Sequence, residues 1–127
     1  MTQIFKIEDL SHFTGSGQIF KHWWHRQFVC TEGIQYLAKV AHCYWLVDEL
    51  ALVILPELLK QNPDNFYSIE FVAHADQTAN ISVGDGNGHI YLEKKINWTD
   101  FPVKEKSIQL YLCDSSDYYC LMLASEY

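Results

Sequence analysis

The strongest constraint on the fold is a change of period near residue 66. From there on, apolar side chains recur at every second position. Tyr67, Ile69, Phe71 and Ala73 alternate with Ser68, Glu70 and His74. Ile81 and Val83 follow, then Ile90, Leu92, Lys94 and Ile96 against His89, Tyr91, Glu93 and Lys95. Ile108, Leu110 and Leu112 form a fourth set, and Tyr119, Leu121 and Leu123 a fifth. A period of two places one set of side chains on one face of a strand and the rest on the other. The segments "HADQT", "GDGNG", "TDFP" and "DSSD" separate the runs as turns. Asn87-Gly88 is a hairpin signal, because both residues tolerate positive φ.

The first half reads differently. Residues 6–12 are expected to make a helical turn, and "FTGSG" (residues 13–17) a loop. The stretch from Gln18 to Cys30 fits either a strand or a helix. Thr31 is placed as an N-cap, with Glu32 in the first turn where a carboxylate suits the helix dipole. Ile34, Leu37, Ala38 and Ala41 then share one helical face. "CYWLVDELALVILPELLK" is apolar nearly all round, so it predicts a central helix that Pro56 kinks or divides. "KQNPDN" (Lys60–Asn65) stops it. The expected architecture is a single α+β domain over residues 1–127. N-terminal helices (about 1–60) pack on a C-terminal antiparallel sheet of four to five strands (about 66–124).

Composition narrows the partners. The net charge is −7, and the nine Lys and Arg do not cluster, since Glu93 and Glu105 interrupt their densest groups. Such a chain repels phosphate backbones, so nucleic acid is not expected as a ligand. The first residues lack a basic stretch followed by an apolar run, and the longest apolar stretch contains Asp48 and Glu49. Neither a signal peptide nor a membrane span is expected, and the location read from this is the cytoplasm.

Candidate chemistry is sparse. "KHWWHR" places Trp23 and Trp24 between His22 and His25. Two histidines three apart converge on a metal only if the segment is helical, and zinc would need more ligands. Cys30, His42 and Cys43 are nearest in sequence, at no zinc-site spacing, so no metal or other cofactor is expected. The tryptophans could stack on bases, but a stacking platform wants a basic groove. Core for one and an interface for the other is the preferred reading, with the buried one packed on the helix of residues 43–55. "GDGNG" fails as a calcium loop: counting from Asp85, the twelfth residue is Ile96, not Glu. "TGSG" lacks the Lys-Ser/Thr of a phosphate loop. Asp48 and Glu49 sit among apolar neighbours, where a carboxylate serves either as a raised-pKa acid or as a structural acceptor. No nucleophile elbow accompanies them.

Cys30, Cys43, Cys113 and Cys120 follow no C-x-x-C pattern and read as buried thiols, with Cys113 and Cys120 able to face each other across a hairpin. "YYCLMLA" is apolar on both faces, and no Lys or Pro blunts it. It is therefore either an interior strand or an edge strand that a second copy covers. On the second reading Tyr118 and Tyr119 join Trp23 and Trp24 as interaction candidates in a homodimer.

"HFTGSGQIFKHW", "TEGIQYLAKVAHCYWLVDELA", "GDGNG", "TDFP" and the closing "SEY" together resemble a family of short bacterial, plasmid and phage proteins known as a domain of unknown function. The resemblance runs from about His12 to Tyr127 and implies a single-domain, cytosolic product of mobile elements; it brings no catalytic residue. The family has a glycine between its two helices where this chain has His42, which speaks against a tight turn there. The functional expectation is a non-catalytic interaction or regulatory module. The alternatives are a small-ligand or metal-dependent enzyme using His22, His25 and Asp48, and an acidic protein that binds a host nucleic-acid-handling protein.

Overall fold

The computed structural model describes residues 19–22, 27–115 and 117–127. Seven strands form one sheet: β1 (Ile19–Lys21), β2 (Phe28–Thr31), β3 (Phe66–Ala73), β4 (Ala79–Gly84), β5 (Ile90–Ile96), β6 (Ser107–Asp114) and β7 (Tyr119–Leu123). Their spatial order is β1-β2-β7-β6-β3-β4-β5. Helix α1 (Glu32–Val40) follows β2, and α2 (residues 44–61) precedes β3. Residues 6–17 lie outside the described residues.

This corrects the expected architecture. The sheet is mixed and seven-stranded, not an antiparallel sheet of four to five strands. The first half of the chain contributes two of the strands, so it is not a helical half packed on a sheet half. β2 pairs with β7 in parallel, with Phe28 opposite Tyr119 and Cys30 opposite Leu121; the other neighbours are antiparallel. Within the ambiguous stretch from Gln18 to Cys30, the described residues include β1 and the start of β2, which pair with each other. β7 is interior, bonded to β2 on one edge and β6 on the other. Pairing on both edges leaves no edge there for a second copy.

The helices cover one face of the sheet. That face carries Phe28, Cys30, Tyr67, Ile69, Phe71, Ile81, Val83, Leu110, Leu112, Leu121 and Leu123. Ile34 and Leu37 of α1 and Leu46, Leu50, Ile54, Leu55 and Leu58 of α2 pack on them.

α1 starts where the residue types require. Thr31 is extended, and its hydroxyl accepts from the Ile34 N–H. The end of the chain reinforces this start. The Glu126 carboxylate takes hydrogen bonds from the Thr31 hydroxyl (2.5 Å), the Gly33 N–H (3.3 Å) and the Leu123 N–H (3.0 Å). An anion thus sits on the first-turn donors of α1. Gly33 allows the approach, because a Cβ there would come within 2.5 Å of both Glu126 and Leu123.

α1 ends in a tight turn after all. His42 takes the left-handed conformation, φ 55°. The Cys43 N–H reaches back to the Ala38 carbonyl at 2.9 Å, the bond that closes such a helix end. A residue with a Cβ is strained in this conformation. His42→Gly is therefore expected to stabilise the fold by about 0.5–1 kcal/mol, partly offset by the freedom glycine gains when unfolded. Urea unfolding of the two proteins measures it; no gain in midpoint would refute strain at this turn.

Pro56 does not divide α2. The helix widens to π-helical geometry over Leu50–Ile54, and the Leu55 N–H bonds to the Leu50 carbonyl. The wide turn lies directly before the ring, where a regular helix would clash with the carbonyl four residues back. Among the described residues, no helix is long and apolar enough to cross a membrane.

The β4–β5 connection also differs from a two-residue turn. Positive φ falls on Gly86 and Gly88 and not on Asn87. The Asp85 carboxylate accepts from the Asn87 and His89 N–H groups, so a longer loop is held by a side chain.

Candidate functional site

Of the sequence candidates, the structure brings His22 and Asp48 together. His22 Nε2 lies 2.7 Å from Asp48 Oδ1, with the His22 side chain 2% exposed and that of Asp48 40%. The imidazole meets Phe28 edge-on at 5.9 Å. The pair joins the end of β1 to α2. Glu49 makes a parallel tie with Lys94 of β5. Both carboxylates therefore act as structural acceptors between helix and sheet. His22→Ala should cost about 2–3 kcal/mol, from lost packing and a broken hydrogen bond. A double-mutant cycle with Asp48→Ala should give a coupling of about 1–2 kcal/mol. Additive single effects would mean that the contact carries no energy.

Trp23, Trp24 and His25 lie outside the described residues, and so does the expected packing of a tryptophan from that pair on α2. Tyr119 packs against the core from β7 and Tyr118 is half-buried beside it. Among the described residues, no three His, Cys, Asp or Glu side chains group as a metal site. All four cysteines are free thiols. Burial pushes Cys30 and Cys43 up to about 12 and Cys120 up to about 11. Cys113 and Cys120 do stand opposite each other across the β6–β7 hairpin.

The surface with ligand-binding shape is the other face of the sheet, which no described helix covers. It results from the same alternation. The buried residues of β3, β4 and β6 leave neighbours pointing out that are polar or aromatic apart from Val72: Phe66, Ser68, Glu70 and Val72; Asn80 and Ser82; Gln109 and Tyr111. Three adjoining depressions follow β3. The first, about 410 Å³, lies among Glu70, His74, Asn80, Glu93 and Lys95. The middle one, about 260 Å³, shares Glu70 and Ser82 with it. The last, about 420 Å³, shares Ser68, Gly86 and Gln109 with the middle one and ends at Phe66 and Tyr111. At about 3.3 Å per residue, β3 gives the groove a length of about 25 Å, the span of an extended peptide of about eight residues.

Each end is built differently. At one, His74 Nδ1 faces Glu105 at 3.3 Å and its Nε2 meets the Asn80 amide at 3.0 Å. Glu105 takes φ 59°, which lets its carboxylate also accept from the Ala75 N–H at 2.9 Å. That N–H, then His74, holds the Glu105 carboxyl below the usual range. With Asn80 of β4 on its second nitrogen, His74 ties the turn after β3 to the loop of Glu105. At the other end, Phe66, Tyr111 and Tyr127 form a cluster with ring centroids 5.0–5.5 Å apart. Asp85 stands beside it, its carboxyl held down first by the Asn87 N–H. Glu70 and Glu93 are in no ion pair among the described residues. The groove is therefore polar and aromatic at one end, and it carries the carboxylates of Glu70, Glu93 and Asp85 beside Lys94 and Lys95.

Alternation marked which residues would face out. What the sequence did not signal is that, among the described residues, no helix covers the outward face of β3, β4 and β6.

A family model described as a family of unknown function, DUF6876, matches residues 5–127. No curated protein and no solved structure matches the chain.

Proposed function

The chain belongs to that family of unknown function, and from its own surfaces we propose that it is a single-domain, non-catalytic interaction module. It binds an extended basic segment of a partner protein along the open face of its sheet. The observation that carries this reading is the continuous groove along β3, lined by Ser68, Glu70, Ser82 and Gln109 and closed by aromatic rings at one end. Its carboxylates and the net charge of −7 favour a cationic partner and speed the encounter. The resemblance to mobile-element proteins supplies a class of partner: host proteins that handle nucleic acid and carry basic surfaces.

Fluorescence polarisation with a positional-scanning library of octapeptides tests this. Selection of Lys or Arg, binding that weakens with salt, and loss in a Glu70→Lys, Glu93→Lys variant are expected. Indifference to peptide charge, or binding that survives the charge reversal, would overturn the reading.

Self-association belongs to the same proposal. With β7 interior, the surface offered for a homodimer is the outer side of α2, where Leu52, Val53 and Leu59 are 36%, 48% and 37% exposed. Sedimentation that shows one monomeric species over a wide concentration range would remove it.

A further inference from the structure

We propose that the aromatic end of the groove is a subsite for one arginine side chain of the bound segment. The inference deepens the reading above and rests on it for the rest of the ligand. Phe66 and Tyr111 meet at 5.1 Å with their planes tilted by 47°, and the exposed Tyr127 ring supports both. They wall a depression of about 420 Å³ whose remaining lining includes Asp85, Ser68 and Gln109 and no basic side chain. The hydrogen bonds from the Asn87 and His89 N–H groups to the Asp85 carboxylate fall on Oδ1. The loop thus fixes the carboxylate while Oδ2 stays available to a ligand. Gln109 donates its amide to the Ser68 hydroxyl, which leaves the amide oxygen as an acceptor.

Aromatic faces, a fixed carboxylate and neutral acceptors in one depression suit a ligand that is flat, cationic and rich in donors. Guanidinium meets all three demands, stacking on a ring while it donates in plane. Ammonium is a compact, strongly hydrated charge and uses the ring faces less well. Gly86 keeps the entrance clear. It has φ 82°, and a Cβ there would come within 3.3 Å of the Phe66 ring and 3.6 Å of Ser68.

The test is amide-resolved NMR titration of the full chain with N-acetylarginine amide, with lysine and citrulline analogues alongside. Arginine is expected to shift the amides of Ser68, Asp85, Gly86 and Gln109. Lysine should bind several-fold more weakly, and the neutral, near-isosteric citrulline should give no shifts. Asp85→Asn keeps the acceptor for the loop N–H groups and should weaken arginine binding about tenfold. Phe66→Leu should weaken it with the charge intact. Shifts elsewhere on the protein, equal response to citrulline, or an unchanged affinity in Asp85→Asn would overturn the subsite. Octapeptide binding that depends on Glu70 and Glu93 while arginine gives no shifts would reject the subsite and leave the groove. Arginine binding at Asp85 without octapeptide binding would reject the groove and leave the subsite.

Discussion

Raising the pH from about 8 to about 11 is expected to unfold this protein cooperatively. Cys30 and Cys43 are buried thiols, 5% and 1% exposed, and burial pushes both from 9.0 up to about 12. Cys120 is pushed up to about 11 and Tyr67 to about 12, again mainly by burial. In every case the folded chain holds its proton to higher pH than the unfolded chain. Their contribution is therefore complete below the ordinary values near 9–10 and is lost as the pH climbs toward 11–12. Near pH 10.5, Cys30 and Cys43 together remove on the order of 4 kcal/mol, and Cys120 and Tyr67 act in the same direction. A domain of this size has about 5–15 kcal/mol in total. Urea midpoints measured between pH 8 and 10.5 give the slope. Replacing Cys30 and Cys43 with Ala should flatten it even if the variant starts less stable at pH 8. An equal slope in parent and variant would show that these thiols are not the titrating groups.

Phe71→Ala should be the most damaging single truncation. Phe71 is 1% exposed in the middle of β3. Its ring stacks on Phe101 at 5.0 Å and 16°, and Trp45 of α2 meets it edge-on at 5.9 Å. One side chain thus pins the sheet, the helix layer and the loop before β6 together. Losing it should cost about 3–5 kcal/mol from the cavity, and about 1 kcal/mol more from the ring contacts. Thermal unfolding should then fall by roughly 15–25 °C. Trp98, 62% exposed three residues before Phe101, is the control: its removal should change stability by less than about 0.5 kcal/mol. A Phe71→Ala loss below about 1 kcal/mol would mean that the stack with Phe101 does not hold the loop.

The contrast between Phe71 and His22 shows how legible the chain was. Phe71 announces its burial through its neighbours, because Ile69 and Ala73 share its face and Ser68 and Glu70 do not. His22 announces nothing of the kind. Its partner Asp48 lies 26 residues away, and i-to-i+3 spacing with His25 suits a metal only on a helix. The candidate site divides in the same way. Period two marked Ser68 and Glu70 as outward residues, but nothing local says that no described helix covers that face of the sheet.

By itself, then, the sequence determined the strands of the second half, the faces that β3, β4 and β6 bury, and the start of α1 at Thr31, whereas a register shift in β5 leaves Ile90 exposed and packs Tyr91 on the core. These rest on interactions between residues a few positions apart, and propensity, alternation and capping are written at that range. Only the tertiary structure decided that β7 is interior, that β2 joins it in parallel, that α2 absorbs Pro56 through a wide turn, and that Glu126 caps a helix 95 residues upstream of it. Each depends on which distant surfaces fit together, and that choice is made by the packing of the whole core rather than by any stretch of chain.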